Sequence, residues 1–303
     1  MKSPISQDWL DAADVDTTLA DTHRLGDVLS QRELQPTRFS RRKLFIAMAR
    51  QKTVLFSGCP ITKPLNSHLP DDDQLKARLK KQLGSNRLVS TVRGKAQIKK
   101  RMRIKDVVDL WDEGMHKLAA NDIYFRGTAL DEEFDFSPIC DFNLLCEQPG
   151  DVSDLEIATV LLGSKGCMMD SHSDDPDGCN HCIRGRKLWL AWDRREGEKC
   201  GLEDCTHDDV YDVAKFNLEA FAKMKSSIWF TVSDGQTLFM PGHLTHKVIT
   251  LKKYIGVSSF YLSLPNALAS LARWKIFDSE YVGPRLWARM LDVVLECARG
   301  LND

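Results

Sequence analysis

No stretch of this sequence approaches the roughly eighteen consecutive apolar residues that a membrane-crossing helix needs, so no bilayer-spanning segment is expected. The opening residues MKSPISQDWLDAADVD hold acids where a secretory leader would hold an apolar run, which sets an ordinary signal peptide aside. An excess of one charge is missing too, since the formal net charge is only -1, and a generally basic protein is excluded. The nine cysteines lack the regular spacing of a disulfide scaffold, and a chain of 303 residues needs no such staples. A reducing, cytoplasmic setting is therefore expected. Neither an internal repeat nor a low-complexity tract is present.

What is present is enough apolar material for a sizeable core. Hydrophobic residues make up 43% of the chain, which fits one large domain or one domain with helical additions. Residues 1–35 are expected to form a polar helical lead with Leu19, Leu25, Val28 and Leu29 as a weak apolar stripe. A helix over 38–49 and a short strand over 51–58, ended by Gly58 and Pro60, follow. Residues 76–105 contain twelve lysines and arginines and no acid, between acidic flanks at 71–73 and 106–112. Such a run is expected to be a solvated helix face or loop. It also keeps open a landing site for an anionic substrate or a nucleic acid, although no aromatics are interleaved for base stacking.

Residues 104–119 repeat apolar side chains at helical spacing. Beyond them the pattern turns to short β-rich segments at 141–146, 158–163, 187–191, 227–232, 237–240, 248–251 and 254–262, most of them bounded by Gly, Pro or Asp. That density predicts a mainly β protein, with an all-β sandwich or barrel over about 134–264 and a helical insertion at 210–225. Two closing helices, at 266–273 and 284–299, make up a C-terminal region over 265–303. The apolar stripe of the second suits packing on the barrel or a homodimer contact.

The most informative stretch is DSHSDDPDGCNHCIRGRK, residues 170–187. His172 and Asp174 are two apart, so on an extended strand both face the same way and can address one metal ion. A third ligand is available in GQTLFMPGHLTHKVITL, where a strand, a Pro-Gly turn and a second strand would return the chain to the same place. His246 is preferred there to His243 by its distance from the turn. Two histidines and one carboxylate on one side of an ion, with the other side open, is the ligand set of non-heme Fe(II) oxygenases. A second constellation, Cys179, His181 and Cys182 with Cys200, Cys205 and His207, is compatible with a structural zinc site or with buried free thiols.

Three blocks, TVLLGSKGCMMDSHSD, CIRGRKLWLAW and DGQTLFMPGHLTHKV, together with QKTVLFSGCP nearer the N-terminus, resemble the JmjC-domain branch of the cupin-fold, Fe(II)- and 2-oxoglutarate-dependent oxygenases. The resemblance covers residues 36–264. It implies a double-stranded β-helix, or jelly roll, with helical additions at both ends. It implies His172, Asp174 and His246 as iron ligands, and Lys187 as the partner of the distal carboxylate of 2-oxoglutarate. Asparaginyl hydroxylases of this kind often place a threonine three residues before the first histidine, where this chain has Met169. Thr159, Asn143 or Asn180 is then expected to supply the missing hydrogen bond, and Ser259 falls near the position of an iron-proximal asparagine.

The activity implied is hydroxylation of a C–H bond in an amino acid, peptide, small metabolite or protein side chain, using O2. N-methyl-lysine demethylation and a catalytically silent cupin-fold binding protein are the alternatives.

Overall fold

The computed structural model describes residues 32–61, 72–84, 88–93, 98–113, 118–125, 130–136, 138, 158–174, 176–202, 217–262, 267–276 and a few positions between 288 and 299. Of the lead expected over 1–35, only the last four residues are among them. They do not continue a helix: Glu33 bridges Trp229, and the Leu34 N–H donates to the Trp229 carbonyl at 2.9 Å. The strand expected at 141–146 lies outside the described residues; of the helix expected at 284–299, the described positions 288, 290–292, 294–296 and 299 are all helical, with Met290 and Val294 buried.

Eleven strands form one hydrogen-bonded sheet that folds over on itself. Two of them organise it. Strand β8 runs from Asp177 to Asp193 and strand β11 from Leu244 to Tyr261, and they pair antiparallel along almost their whole length. Strand β8 is over three times as long as the segment expected at 187–191, and β11 joins the two strands expected at 248–251 and 254–262, because the polar bends RGRK and KKY within them look like strand ends. The register slips between Thr250 and Gly256 and the left-handed Gly185 (φ +106) let each strand turn a corner without breaking its ladder. A Cβ on Gly185 would lie 2.2 Å from the Lys253 carbonyl oxygen, so the corner requires glycine.

On one side of the corner, β6 (Ala158–Gly163), the end of β11, the start of β8 and β10 (Gln236–Met240) lie side by side. On the other side, β7 (Met168–His172), the start of β11, the end of β8 and β9 (Ile228–Ser233) do the same. Two four-stranded layers that share two strands around the bend make a jelly roll, as expected. Strands β1 (Thr37–Arg38) and β2 (Val54–Ser57) extend the first layer beyond β10, and β5 (Leu118–Tyr124), β3 (Leu88–Arg93) and β4 (Ile98–Arg103) extend it beyond β6. The sheet therefore recruits strands from well before residue 134.

Period-two alternation divides the side chains between two environments. Outward from the first layer, Val160, Leu162, Cys179, Ile183, Phe239, Ile255 and Val257 pack beneath helices α1 (Arg41–Ala49) and α3 (Ile104–Glu113). Helix α1 starts at Ser40, whose hydroxyl accepts from the Lys43 N–H. Helix α3 places Ile104, Val107, Val108 and Trp111 on one face, each worth ~1.5–3 kcal/mol when fully buried. The Trp111 indole N–H bonds the carbonyls of Gly163 and Tyr254, pinning α3 to the sheet. Helical spacing was expected to continue to residue 119, but the chain enters β5 at Leu118, where ladder pairing overrides local periodicity.

The basic segment is neither one helix face nor a loop. It comprises α2 (Asp72–Leu83) and the hairpin β3–β4. Within α2, Lys76, Lys80 and Arg78 form ion pairs with Asp73, Asp109 and Glu133, so part of that charge is neutralised locally. Three further helices follow: α4 (Arg194–Cys200), capped by Asp193; α5 (Leu218–Lys223), the described part of the expected insertion; and α6 (Ala267–Ile276) after the last strand.

His181 shows how firmly the outward layer is closed. It is 3% exposed, its Nδ1 lies 2.8 Å from the Thr237 hydroxyl, and burial pushes its pKa down to about 4. The unfolded chain takes up a proton near pH 6.5 that the folded protein refuses. Stability is therefore present above that pH and lost as pH falls towards about 4, by on the order of 3 kcal/mol. His181→Asn is expected to flatten the fall in urea midpoint between pH 6.5 and pH 4. An unchanged fall would assign the acid sensitivity elsewhere.

Candidate metal centre

Strand β7 ends at His172, and the chain then turns through Asp174 towards β8. His246 lies directly opposite both His172 and Ala191. The ladder therefore brings together residues that are 72 and 74 positions apart in the chain. One donor atom from each of His172, Asp174 and His246 lies within 4.8 Å of the others, and these three form the metal-capable cluster among the described residues. The two imidazoles sit 4.3 Å apart between centroids at 56°, and His246 Nε2 is 3.8 Å from Asp174 Oδ2.

Hydrogen bonds around the cluster set its orientation. His246 Nδ1 lies 3.0 Å from the Leu244 carbonyl, which can only accept, so Nδ1 carries the proton and the Nε2 lone pair faces the carboxylate. The Asp174 loop is tied down by the turn between β10 and β11. The His243 N–H donates to the Asp174 carbonyl at 2.6 Å, and the Gly242 N–H donates to Asp177 Oδ1 at 3.0 Å. His243 adopts a left-handed backbone (φ +59) and lies outside the cluster, so its main chain rather than its ring serves the site. The indole of Trp189 stacks on His246 with centroids 5.3 Å apart at 27°.

Lys187 shares the inner face of the barrel with this cluster. It is opposite Thr250, four residues along β11 from His246, and Trp189 opposite Val248 occupies the row between them. The side chain is 4% exposed, and its Nζ lies 4.2 Å from the centroid of the Tyr254 ring. Burial lowers its pKa to about 8, against smaller upward contributions from the Cys167 and Cys182 thiols. Among the described residues no carboxylate pairs with it. The walls around it are apolar: Leu161, Phe230, Val232, Leu238, Met240 and Val248. A buried cation without a counter-charge is costly, and an anion placed beside it offsets that cost.

The other expected site residues divide by strand parity. Thr159 and Asn180 face the chamber, but each already has a partner within the protein. Thr159 Oγ1 is 2.8 Å from the Ser258 hydroxyl, and Asn180 Oδ1 accepts from the Tyr254 hydroxyl at 2.6 Å. Ser259 faces the other way. It pairs with Ala158 and Cys179, both packed beneath the helices, and Ser258, an even twelve residues from His246, faces inward. Asn143 lies outside the described residues.

The expected zinc alternative meets the same alternation. Cys179 lies among the outward core residues and Cys182 among the chamber residues, so a single ion cannot join them. Burial instead raises the Cys182 thiol pKa to about 12. Cys205 and His207 lie outside the described residues.

Three residues of the inner face were not anticipated from sequence. Trp189, Tyr254 and Ser258 carry no motif of their own, although Trp189 stands two residues after Lys187 and alternation alone assigns it to the same wall. Asn121, at a register slip in β5, reaches Met169 Sδ with its amide at 3.0 Å and so abuts the position three before His172.

The fold and this donor set define a class. The model of the cupin-like domain family matches residues 46–267, and the chain belongs to that family. No curated protein matches it. The residues fit a divalent transition metal: two imidazole nitrogens and a carboxylate oxygen on one side suit Fe(II), and a closed structural zinc site would need a fourth protein ligand. None of the described helices is long and apolar enough to cross a membrane.

Proposed function

We propose that this protein is an Fe(II)- and 2-oxoglutarate-dependent oxygenase of the JmjC type, which hydroxylates a C–H bond of an amino acid, peptide, small metabolite or protein side chain. One observation carries the reading: a His172–Asp174–His246 cluster shares the inner face of the barrel with a buried lysine that has no carboxylate partner among the described residues. The cluster alone would suit several metals and many reactions. The unneutralised cation adds a requirement for an anionic ligand beside the metal.

When bound, iron and the keto acid supply activation of O2, with one oxygen atom going into succinate as CO2 leaves and the other into the substrate C–H bond. The chain's own residues do the rest. His172, Asp174 and His246 hold the ion from one side and leave the other open. Lys187, steadied by the face of Tyr254, fixes the far carboxylate with a point charge and up to three donors. The apolar wall keeps water from the reacting centre, which strengthens each of these contacts.

The test supplies purified protein with Fe(II), air and 2-oxoglutarate, with and without pooled metabolites and peptides, and measures succinate. Succinate that rises with a pool and is absent without Fe(II) is the expected result. Formaldehyde released alongside it from methyl-lysine peptides would identify the demethylase variant of the same chemistry. Absence of succinate with every pool, together with no uptake of 2-oxoglutarate, would leave a binding protein and reject the proposal.

A further inference from the structure

Two buried donors stand two residues apart on the inner face of β8, and neither has an acceptor among the described residues. One is the Lys187 ammonium. The other is the indole N–H of Trp189, which is 6% exposed and whose Nε1 is buried with no hydrogen-bond partner. The fold provides for comparable indoles elsewhere. Trp111 donates to the carbonyls of Gly163 and Tyr254, and Trp192 donates to the Leu202 carbonyl. Leaving a buried N–H unpaired costs about as much as a lost hydrogen bond, so a site that retains one calls for an explanation.

The ring of Trp189 is fixed in place. It packs against His246 at 5.3 Å and nearly parallel to Phe230 at 6.2 Å and 11°. Its row on β8 is the one between the metal ligand and the cation, since Ala191, Trp189 and Lys187 stand opposite His246, Val248 and Thr250. The indole therefore stands in the row that separates the metal cluster from the Lys187 ammonium. Two other polar pairs on the inner face are already engaged, Thr159 with Ser258 and Asn180 with Tyr254.

Resting on the oxygenase reading above, we propose that Trp189 donates its indole N–H to a carboxylate oxygen of the keto acid, and so sets where that dicarboxylate lies between the metal ligands and Lys187. Charge assistance makes such a bond stronger than one to a neutral acceptor. The ring also gives the acid's methylene chain an apolar wall. Trp189 is thus a binding residue in addition to a packing residue against His246.

The test uses the full chain loaded with Zn(II) and labelled with 15N-tryptophan, titrated with 2-oxoglutarate. Seven tryptophans are present, and the indole signal that disappears in Trp189→Phe identifies this one. That signal is expected to move downfield on titration. Calorimetry is expected to show the same variant, whose ring still covers His246, binding 2-oxoglutarate about tenfold more weakly with Zn(II) affinity unchanged. A stationary signal, or unchanged affinity in the variant, overturns the proposal while wild-type uptake keeps the oxygenase reading. Failure of wild-type protein to take up 2-oxoglutarate refutes that reading, and the proposal with it. Should Trp189→Phe not fold, the signal is assigned by its nuclear Overhauser contacts with the His246 ring, and the titration alone decides.

Discussion

His246→Ala is expected to remove Fe(II)-dependent turnover and to weaken divalent metal binding by more than the ~10–100-fold that loss of a mere supporting partner costs. His172→Ala and Asp174→Ala should do the same, because three donors brought within 4.8 Å leave no reserve when one is withdrawn. Metal titration by calorimetry, with a thermal melt on each variant, separates the outcomes. The variant proteins should still melt cooperatively, since the ladder between β7, β8 and β11 is made by backbone groups that these changes leave alone. Retained Fe(II)-dependent turnover in any one of the three would reject the ligand assignment.

Lys187→Met is expected to have two opposite effects. Affinity for 2-oxoglutarate should fall by about a hundredfold or more, the scale of a lost charge-assisted contact in a closed site. The ligand-free protein should become more stable, because methionine fills similar volume without a buried charge. Lowering of the ammonium pKa from 10.5 to about 8 puts the burial cost at roughly 3 kcal/mol near neutral pH.

The pH dependence has a definite sign. In the folded, empty protein the ammonium is lost above about pH 8, while the unfolded chain keeps it to 10.5. Stability of the wild-type apoprotein therefore rises between those values, and affinity for the dianion falls over the same range. Calorimetry and melts at pH 7, 8 and 9 on wild type and variant check both statements. A variant less stable than wild type would mean that packing under Tyr254 outweighs the charge.

The residues that chemistry requires were legible because they come in short-range patterns. A two-residue spacing on a strand, a Pro-Gly turn before His246 and a Gly-Arg step before Lys187 depend only on local geometry. What was misread is which face a residue takes. Ser259 stands an odd thirteen residues along β11 from His246 and so faces outward, while Ser258 keeps the parity of His246, Val248 and Tyr254. The proposed zinc cluster likewise depends on Cys179 and Cys182 facing together, which an odd separation on a regular strand forbids. Beta-hairpin β3–β4 escaped notice because lysine and arginine are poor strand formers on their own, and the pairing partner supplies what propensity does not. Tyr254 and Trp189 look like ordinary core aromatics until the fold brings a cation and an imidazole against them.

The shared strands β8 and β11 have a consequence for how such a protein can change. Spacing between His246 and Lys187 is set by the paired ladder of two long strands, in which His246 stands opposite Ala191 and Lys187 opposite Thr250. Segments outside this ladder can change length, or be grafted from elsewhere, without altering that spacing. Diversification of targets and preservation of chemistry are thereby uncoupled, and a designer seeking a new substrate would leave these two strands untouched and rebuild only the rim.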